Sequence, residues 1–183
     1  MKKAVVFLAD GFEEVEALTQ VDLLRRAEIN LLTVSITDKK TVRGTHNIYV
    51  ECDDIFENID FDTVDALILP GGMPGTANLN AHEGVKKQIK EFYAEGKLVC
   101  AICAAPMVLG GLGILKGKHA CCYPSFEKYL EGADVKFENV CSDGNVITSR
   151  GVGTAIEFAG KIIEHLINKE TADAVLEEII YKK

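Results

Sequence analysis

Short apolar runs alternate with longer amphipathic stretches along most of the chain. The runs have the length of buried strands, and the stretches between them repeat apolar residues at helical spacing. This pattern predicts strands at residues 4–9, 30–36, 64–69, 98–102, 118–122 and 145–149, with a hairpin over 41–52. It predicts helices at residues 13–28, 83–94, 154–168 and 172–181, with a shorter helix that begins at Pro106.

The regular alternation of strands and helices predicts βαβ units and therefore a mainly parallel sheet with helices on both faces. We find no internal repeat, low-complexity segment or linker in the sequence. We therefore expect an α/β fold, a three-layer sandwich formed as a single domain over residues 1–183.

Composition and charge narrow the class of protein. The chain has 183 residues, 48% hydrophobic and 26% charged, with a formal net charge of −8. Its basic residues are scattered, which disfavours nucleic acid and anionic membrane surfaces as partners. No run approaches the ~20 apolar residues of a membrane helix, and the apolar run after the first two lysines is too short for a signal peptide. We expect a cytoplasmic protein.

Candidate chemistry falls at the carboxyl ends of the predicted strands, where open α/β sheets bind ligands. Cys103 lies between a predicted strand and the helix that begins at Pro106. A residue at such a turn is pushed out over the sheet edge, and a helix N-terminus lowers the pKa of a thiol. We expect a reactive thiolate at Cys103, although a buried, inert cysteine is equally compatible with the position.

Two further segments follow strands and could converge on Cys103. Gly71 and Gly72 come directly after residues 64–69, and their N–H groups could stabilise an oxyanion together with that of Ala104. After the first strand come three acids, at positions 13, 14 and 16, which the helix dipole favours. The residue pattern alone does not separate Glu16 from the other two.

The remaining cysteines and histidines give weaker indications. Cys100 and Cys103 form a C-x-x-C, but Cys100 falls inside a strand, which argues against a redox disulfide. Cys121 and Cys122 are adjacent on a predicted strand, so their side chains should point to opposite faces and chelate poorly with His119. We expect no structural metal and no cofactor. No role follows from the pattern for Cys52 or Cys141.

The sequence resembles the ThiJ/PfpI superfamily, in the branch that contains the Parkinsonism-associated protein deglycase and its bacterial relatives. The resemblance rests on AVVFLADGFEEVEA, DLLRRA, LILPGG, VCAICAAP and ITSRGVGTAIEFA, which follow one another in family order. It implies a flavodoxin-like sandwich and a homodimer. It also implies a reactive Cys103 that shares a proton with Glu16, backbone donors at Gly72 and Ala104, and an arginine, Arg26, near the site and the dimer interface.

The sequence departs from the family pattern at three positions. Tyr123 stands where well-known animal members have a histidine, and tyrosine is a poor base near neutral pH. Ala104 stands where the protease-like branch has a histidine, which argues against a cysteine peptidase or amidotransferase. His46 stands where some relatives have an arginine close to the site.

The resemblance implies an enzyme that acts on reactive α-oxoaldehydes without a cofactor, converting methylglyoxal to lactate, and a related activity on early glycation adducts. In this hypothesis Cys103 and Glu16 are catalytic, while Gly71, Gly72, Ala104, Tyr123 and Arg26 bind substrate. The alternative is a redox-sensing or chaperone-like stress-response protein that uses an oxidisable cysteine.

Overall fold

The computed structural model describes residues 1–181, so the last two residues of the predicted 1–183 domain lie outside the described residues. The strands are β1 (Lys3–Leu8), β2 (Asn30–Ser35), β3 (Thr41–Arg43), β4 (Tyr49–Glu51), β5 (Asp54–Ile55), β6 (Ala66–Leu69), β7 (Leu98–Ile102), β8 (His119–Ala120), β9 (Asp134–Val135), β10 (Val140–Asp143) and β11 (Val146–Ser149). The helices are α1 (Glu14–Arg26), α2 (Gly75–Ala81), α3 (Glu83–Ala94), α4 (Pro106–Gly111), α5 (Ala155–Leu166) and α6 (Lys169–Glu178). Short 3-10 turns lie at Phe56–Asn58, Phe61–Thr63, Glu127–Tyr129 and Val152–Thr154.

Seven strands form the central sheet in the order β10-β11-β7-β6-β1-β2-β5. Every neighbouring pair is parallel except β10 and β11, which form an antiparallel hairpin at one edge. The predicted mainly parallel sheet is confirmed. Because β1, β6 and β7 are neighbours, the loops that follow them meet at the same edge of the sheet.

Two apolar clusters sandwich the sheet, as expected when alternate strand residues face opposite sides. In β1, Val6 and Leu8 pack under α1, α5 and α6, while Val5 and Phe7 pack under α2, α3 and α4. The strands at the centre are buried on both faces, which explains why they appear as continuous apolar runs in the sequence. The chain is a single three-layer domain.

The structure differs from the predicted elements in its short segments. Helix α2 was not predicted, since Gly75–Ala81 has few apolar residues to mark a buried face. Strand β10 was missed as well, because only its pairing with β11 gives it extended structure. The predicted strand at 118–122 is reduced to β8, which pairs with β9 outside the central sheet. The hairpin predicted over 41–52 is confirmed as β3 and β4.

Candidate active site

Cys103 occupies a strained turn between β7 and α4. Its φ angle is 65°, in the left-handed region that non-glycine residues rarely adopt. The backbone on both sides is fixed: the Cys103 N–H donates to the Ser149 carbonyl over 2.9 Å, and the Cys103 carbonyl accepts from the Tyr123 N–H over 2.8 Å. The turn leaves Cys103 partly exposed, whereas the other five cysteines are buried.

Glu16 is fully buried near the start of α1 and faces Cys103. Its Oε2 accepts a hydrogen bond of 2.9 Å from the Gly71 N–H, and its carboxyl lies beside the Cys103 side chain, close enough for each group to shift the pKa of the other. Its Oε1 is also buried but has no partner at normal hydrogen-bond distance among the described residues. The Glu13 carboxylate caps the helix by accepting from the Glu16 N–H over 2.7 Å. The acid is therefore held firmly and keeps one oxygen available.

The contact between these side chains depends on a glycine. A Cβ at Gly71 would lie 2.6 Å from the Cys103 Cβ and 2.7 Å from Glu16 Oε2. Such distances leave no room for any side chain at position 71. Gly71 therefore lets the backbone pass close enough to donate to the buried acid.

The expected low pKa of the Cys103 thiol is wrong. Burial raises its pKa to about 12, and the negative charge of Glu16 and its hydrogen bond act in the same direction. The Ala104 and Gly72 N–H groups lower the pKa but are outweighed. Burial likewise raises the pKa of Glu16 to about 7. The two groups in contact titrate as one pair, which loses its first proton near pH 7 and keeps the second.

A cavity of about 480 Å³ opens over this pair. Tyr123 forms part of its wall and is 49% exposed, so its ring is available to a bound molecule. The other lining residues are Glu13, Glu16, Gly72, Cys103, Pro124, Arg150, Gly151, Val152, Gly153 and Thr154. The structure thus brings Gly71, Gly72, Ala104 and Tyr123 together around the sulfur and the acid.

Glu14 also lies near the start of α1 but has a different role. Its Oε1 accepts from the His46 N–H over 2.6 Å, and its Oε2 lies 2.7 Å from His46 Nδ1. Burial alone would raise the pKa of Glu14, but the bonds from His46 lower it overall. Ligand atoms of Glu13, Glu14 and His46 lie within 4.8 Å of one another. The hydrogen bonds between Glu14 and His46 explain why these three side chains lie close together.

Arg26 does not lie at the site, contrary to the expectation drawn from the resemblance. It sits at the far end of α1, ten residues after Glu16, which corresponds to ~15 Å along the helix. There it pairs with Asp22 at 2.9 Å and with Glu178 at 2.6 Å. A straight helix of this length cannot bring both of its ends to the same edge of the sheet, so Arg26 lies away from Cys103. Its predicted place at a dimer interface stays a prediction.

Residues 150–154 line the cavity but were not predicted as site residues. They follow β11, and the parallel pairing of β11 with β7 places this segment beside Cys103. The rule that sites lie after parallel strands could have identified Arg150 and Gly151, because a strand was predicted to end at Ser149.

The other cysteines take no part in the site. Cys100 is fully buried in β7, and all six cysteines are free thiols. Cys121 packs against Thr148, whereas Cys122 packs in the cluster under α2, α3 and α4, so the two side chains do point apart. Among residues 1–181, no helix is long and apolar enough to cross a membrane.

The parallel three-layer sandwich and the partly exposed cysteine at a strand-to-helix turn define a class, the flavodoxin-like proteins with an elbow cysteine. Residues 2–165 match the family model described as the DJ-1/PfpI family. The chain belongs to this family.

Named relatives agree with this assignment. The chain is 36% identical to the Drosophila melanogaster protein dj-1beta over 181 residues, covering 98% of this chain and 97% of that one. It is 32% identical to a Caenorhabditis elegans glutathione-independent glyoxalase, covering 100% and 98%. The oxidized DJ-1 of Toxoplasma gondii superposes with a TM-score of 0.96 at 35% identity, with full coverage of both chains. The chain spans less than half the length of two Arabidopsis thaliana DJ-1 homologs, 40% and 45%.

Proposed function

We propose that the protein is a cysteine-dependent enzyme that converts reactive α-oxoaldehydes to hydroxy acids without a cofactor, with methylglyoxal giving lactate. One observation carries this proposal. A thiol and a carboxyl with a pKa of about 7 are in contact at the floor of a cavity, and the carboxyl keeps one oxygen unpaired.

The first step joins the thiol to the aldehyde. Glu16, as a carboxylate, accepts the proton of the Cys103 thiol while the sulfur attacks the aldehyde carbon. The same proton then passes from Glu16 to the aldehyde oxygen, which gives a hemithioacetal. Because Glu16 acts as a general base, the thiol does not need to be ionised beforehand.

The second step moves hydrogen between the two carbons. Glu16 removes the proton from the sulfur-bearing carbon, which gives an enediolate, and returns it to the neighbouring carbon. The hydroxyl proton moves to the oxygen of that neighbour, so the product is a thioester of lactate. A carboxyl with a pKa near 7 suits this work, since it both takes and gives a proton at neutral pH.

The third step is hydrolysis. Water adds to the thioester carbonyl, the carbon–sulfur bond breaks, and Cys103 recovers its proton as lactate leaves. The N–H groups of Gly72 and Ala104 interact with the sulfur. They are placed to stabilise negative charge that develops there or on the adjacent oxygen.

Two further points support this proposal. A relative at 32% identity is named a glutathione-independent glyoxalase. None of the described residues that line the cavity is a histidine, so the site lacks the imidazole base of a cysteine–histidine peptidase or amidotransferase. Activity on glycated substrates, a homodimer and a cytoplasmic location remain parts of the proposal.

The test is to incubate the protein with methylglyoxal alone and to follow lactate. Steady turnover is expected, and it should disappear in Cys103→Ser. A matched control is Cys52→Ser, which changes a buried cysteine near β5, far from the site. Equal lactate production by Cys103→Ser and the wild-type protein would exclude the mechanism.

The second candidate is redox sensing in a stress response. It is favoured by the partial exposure of Cys103 and by the similarity to a DJ-1 structure described as oxidized. A hydroperoxide would transfer one oxygen atom to the sulfur and leave as an alcohol or water, and Glu16 could hydrogen-bond the sulfenic acid. Mass gain at Cys103 under mild peroxide, without turnover of methylglyoxal, would favour this role over the enzyme.

A further inference from the structure

Two buried cysteines outside the Cys103 site lie side by side. Cys121 directly follows β8, and Cys141 is the second residue of β10. Their exposures are 0% and 4%. The mechanism uses neither of them, and the sequence pattern assigned them no role.

Thr148 of β11 brings the two side chains together. The Cys121 N–H donates to Thr148 Oγ1 over 3.0 Å, and the Cys121 Sγ lies 3.3 Å from the Thr148 carbonyl oxygen. Cys141 is directly opposite Thr148 in the antiparallel β10–β11 pair. Opposed residues in such a pair place their side chains on the same face, roughly 5 Å apart. The Cys141 side chain therefore lies next to that of Cys121, and the two thiols affect one another's protonation.

We infer that Cys121 and Cys141 form a reversible disulfide when the protein meets a hydroperoxide, a redox site separate from Cys103. One sulfur attacks the peroxide oxygen and becomes a sulfenic acid as an alcohol leaves. The second thiol then displaces water from the sulfenic sulfur and closes the disulfide. Two thiols and one hydroperoxide thus give one disulfide, one alcohol and one water.

The interaction between the thiols shifts their pKa values in opposite directions. It lowers the pKa of Cys121 and raises the pKa of Cys141. The positive charge of Arg150 also lowers the pKa of Cys121. The two thiols therefore titrate as one pair, and closing the disulfide requires both of them.

The pair differs from the other buried cysteines. Cys52 has Asp53, Thr33 and Lys40 as its polar neighbours, and burial alone shifts the pKa of Cys100. Neither has a cysteine partner among these contacts. The same oxidant should therefore leave both as free thiols, which makes them internal references.

The experiment uses the full chain carrying Cys103→Ser and Cys122→Ser, so that neither the proposed catalytic thiol nor the adjacent cysteine can react. The protein is treated with a small excess of tert-butyl hydroperoxide and then unfolded in urea that contains N-ethylmaleimide, which blocks the remaining free thiols. It is then digested with trypsin. Cleavage after Lys128 and Lys136 separates Cys121 from Cys141. The expected result is a linked pair of peptides, 119–128 and 137–150, two hydrogens lighter than their sum and separated by dithiothreitol.

A third substitution, Cys141→Ser, provides the matched control and should abolish the linked pair. The wild-type chain receives the same treatment, and mass gain at Cys103 shows that the oxidant dose is effective. The inference is overturned if Cys121 and Cys141 both carry N-ethylmaleimide to the same extent as Cys52 at that dose. Because the test measures no turnover, its result is independent of the proposed enzyme activity.

Discussion

Glu14 and Glu16 are two buried carboxyls on the same helix, two residues apart, and their pKa values shift in opposite directions. Burial acts on both in the same sense and raises the pKa. Glu14 receives two bonds from His46, which outweigh burial and keep it ionised. Glu16 has one amide, that of Gly71, and a neutral thiol, so burial prevails. The hydrogen-bond partners that the fold supplies, rather than burial itself, keep Glu14 ionised as a structural group and leave Glu16 with a pKa suited to proton transfer.

The largest expected effect is a difference in enzyme activity between variants of Glu16 and Glu14. Glu16→Gln keeps an oxygen for the Gly71 N–H but cannot carry a proton, so lactate formation should fall by about 100-fold or more. Glu14→Gln should keep activity within a few-fold, because Glu14 does not line the cavity. Both are measured as kcat/KM with methylglyoxal. Similar losses in the two variants would contradict the separate roles of Glu14 and Glu16.

The second effect is on stability and depends on pH. The folded-state pKa of Glu16 is about 7, above its ordinary 4.5, so its ionisation costs the folded state roughly 3 kcal/mol. This cost is absent below pH 4.5 and complete above pH 7. Glu16→Gln should therefore match the wild-type protein near pH 4.5 and exceed it by about 2–3 kcal/mol at pH 8 in urea unfolding.

Glu14→Gln should show the opposite dependence. The lowered pKa of Glu14 gives stability that is present above pH 4.5 and is lost as the pH falls through the folded-state pKa. At pH 7 the variant should lose about 1 kcal/mol, since the ionised acceptor is replaced by a neutral one. Parallel stability curves for the two variants between pH 4.5 and 8 would contradict the opposite shifts.

The third effect is the pH profile of turnover. The active form of the Cys103–Glu16 pair holds one proton between the two groups. Below pH 7 that form should diminish about tenfold per pH unit, and kcat/KM should rise with this slope and level off above pH 7. The remaining proton is held to about pH 12, so no decline is expected up to pH 9. A profile that is flat from pH 5 to 9 would exclude Glu16 as the base.

The smallest effect concerns His46. Its hydrogen bond to Glu14 raises the pKa of the imidazole, so the stabilisation is complete below pH 6.5 and disappears as the pH rises through the folded-state pKa. The ring is exposed, so the change is small. His46→Gln should unfold at slightly lower urea at pH 5.5 and identically at pH 9, with unchanged turnover. A turnover loss equal to that of Glu16→Gln would connect His46 to the chemistry.

Local sequence explains the parts of the fold that were predicted well. The runs at Ala66–Leu69 and Leu98–Ile102 are buried on both faces. The first is followed by Pro70, which cannot donate to a sheet, and the second by Pro106, which favours a helix start, so their ends are visible in the sequence. Strands β5, β8 and β9 have two residues each and exist only through pairing. No periodicity could reveal them.

The site was predictable in part for the same reason. Cys103 is identifiable because a strand, a three-residue turn and a helix follow each other locally. Arg26 was misplaced because its distance from Cys103 depends on the direction of α1 after the turn. The thiol pKa was mispredicted because local donors were counted, whereas burial and the charge of Glu16 come from packed elements.

The sequence by itself determined the alternation of strands and helices, the mainly parallel sheet and the turn that presents Cys103. These features follow from interactions between near neighbours along the chain. Only the tertiary structure decided which of three neighbouring acids meets the sulfur, since the answer depends on the face of α1 that packs beside Gly71. It also decided that Cys121 and Cys141 touch, because contacts across strands distant in sequence are set by sheet register and not by local pattern.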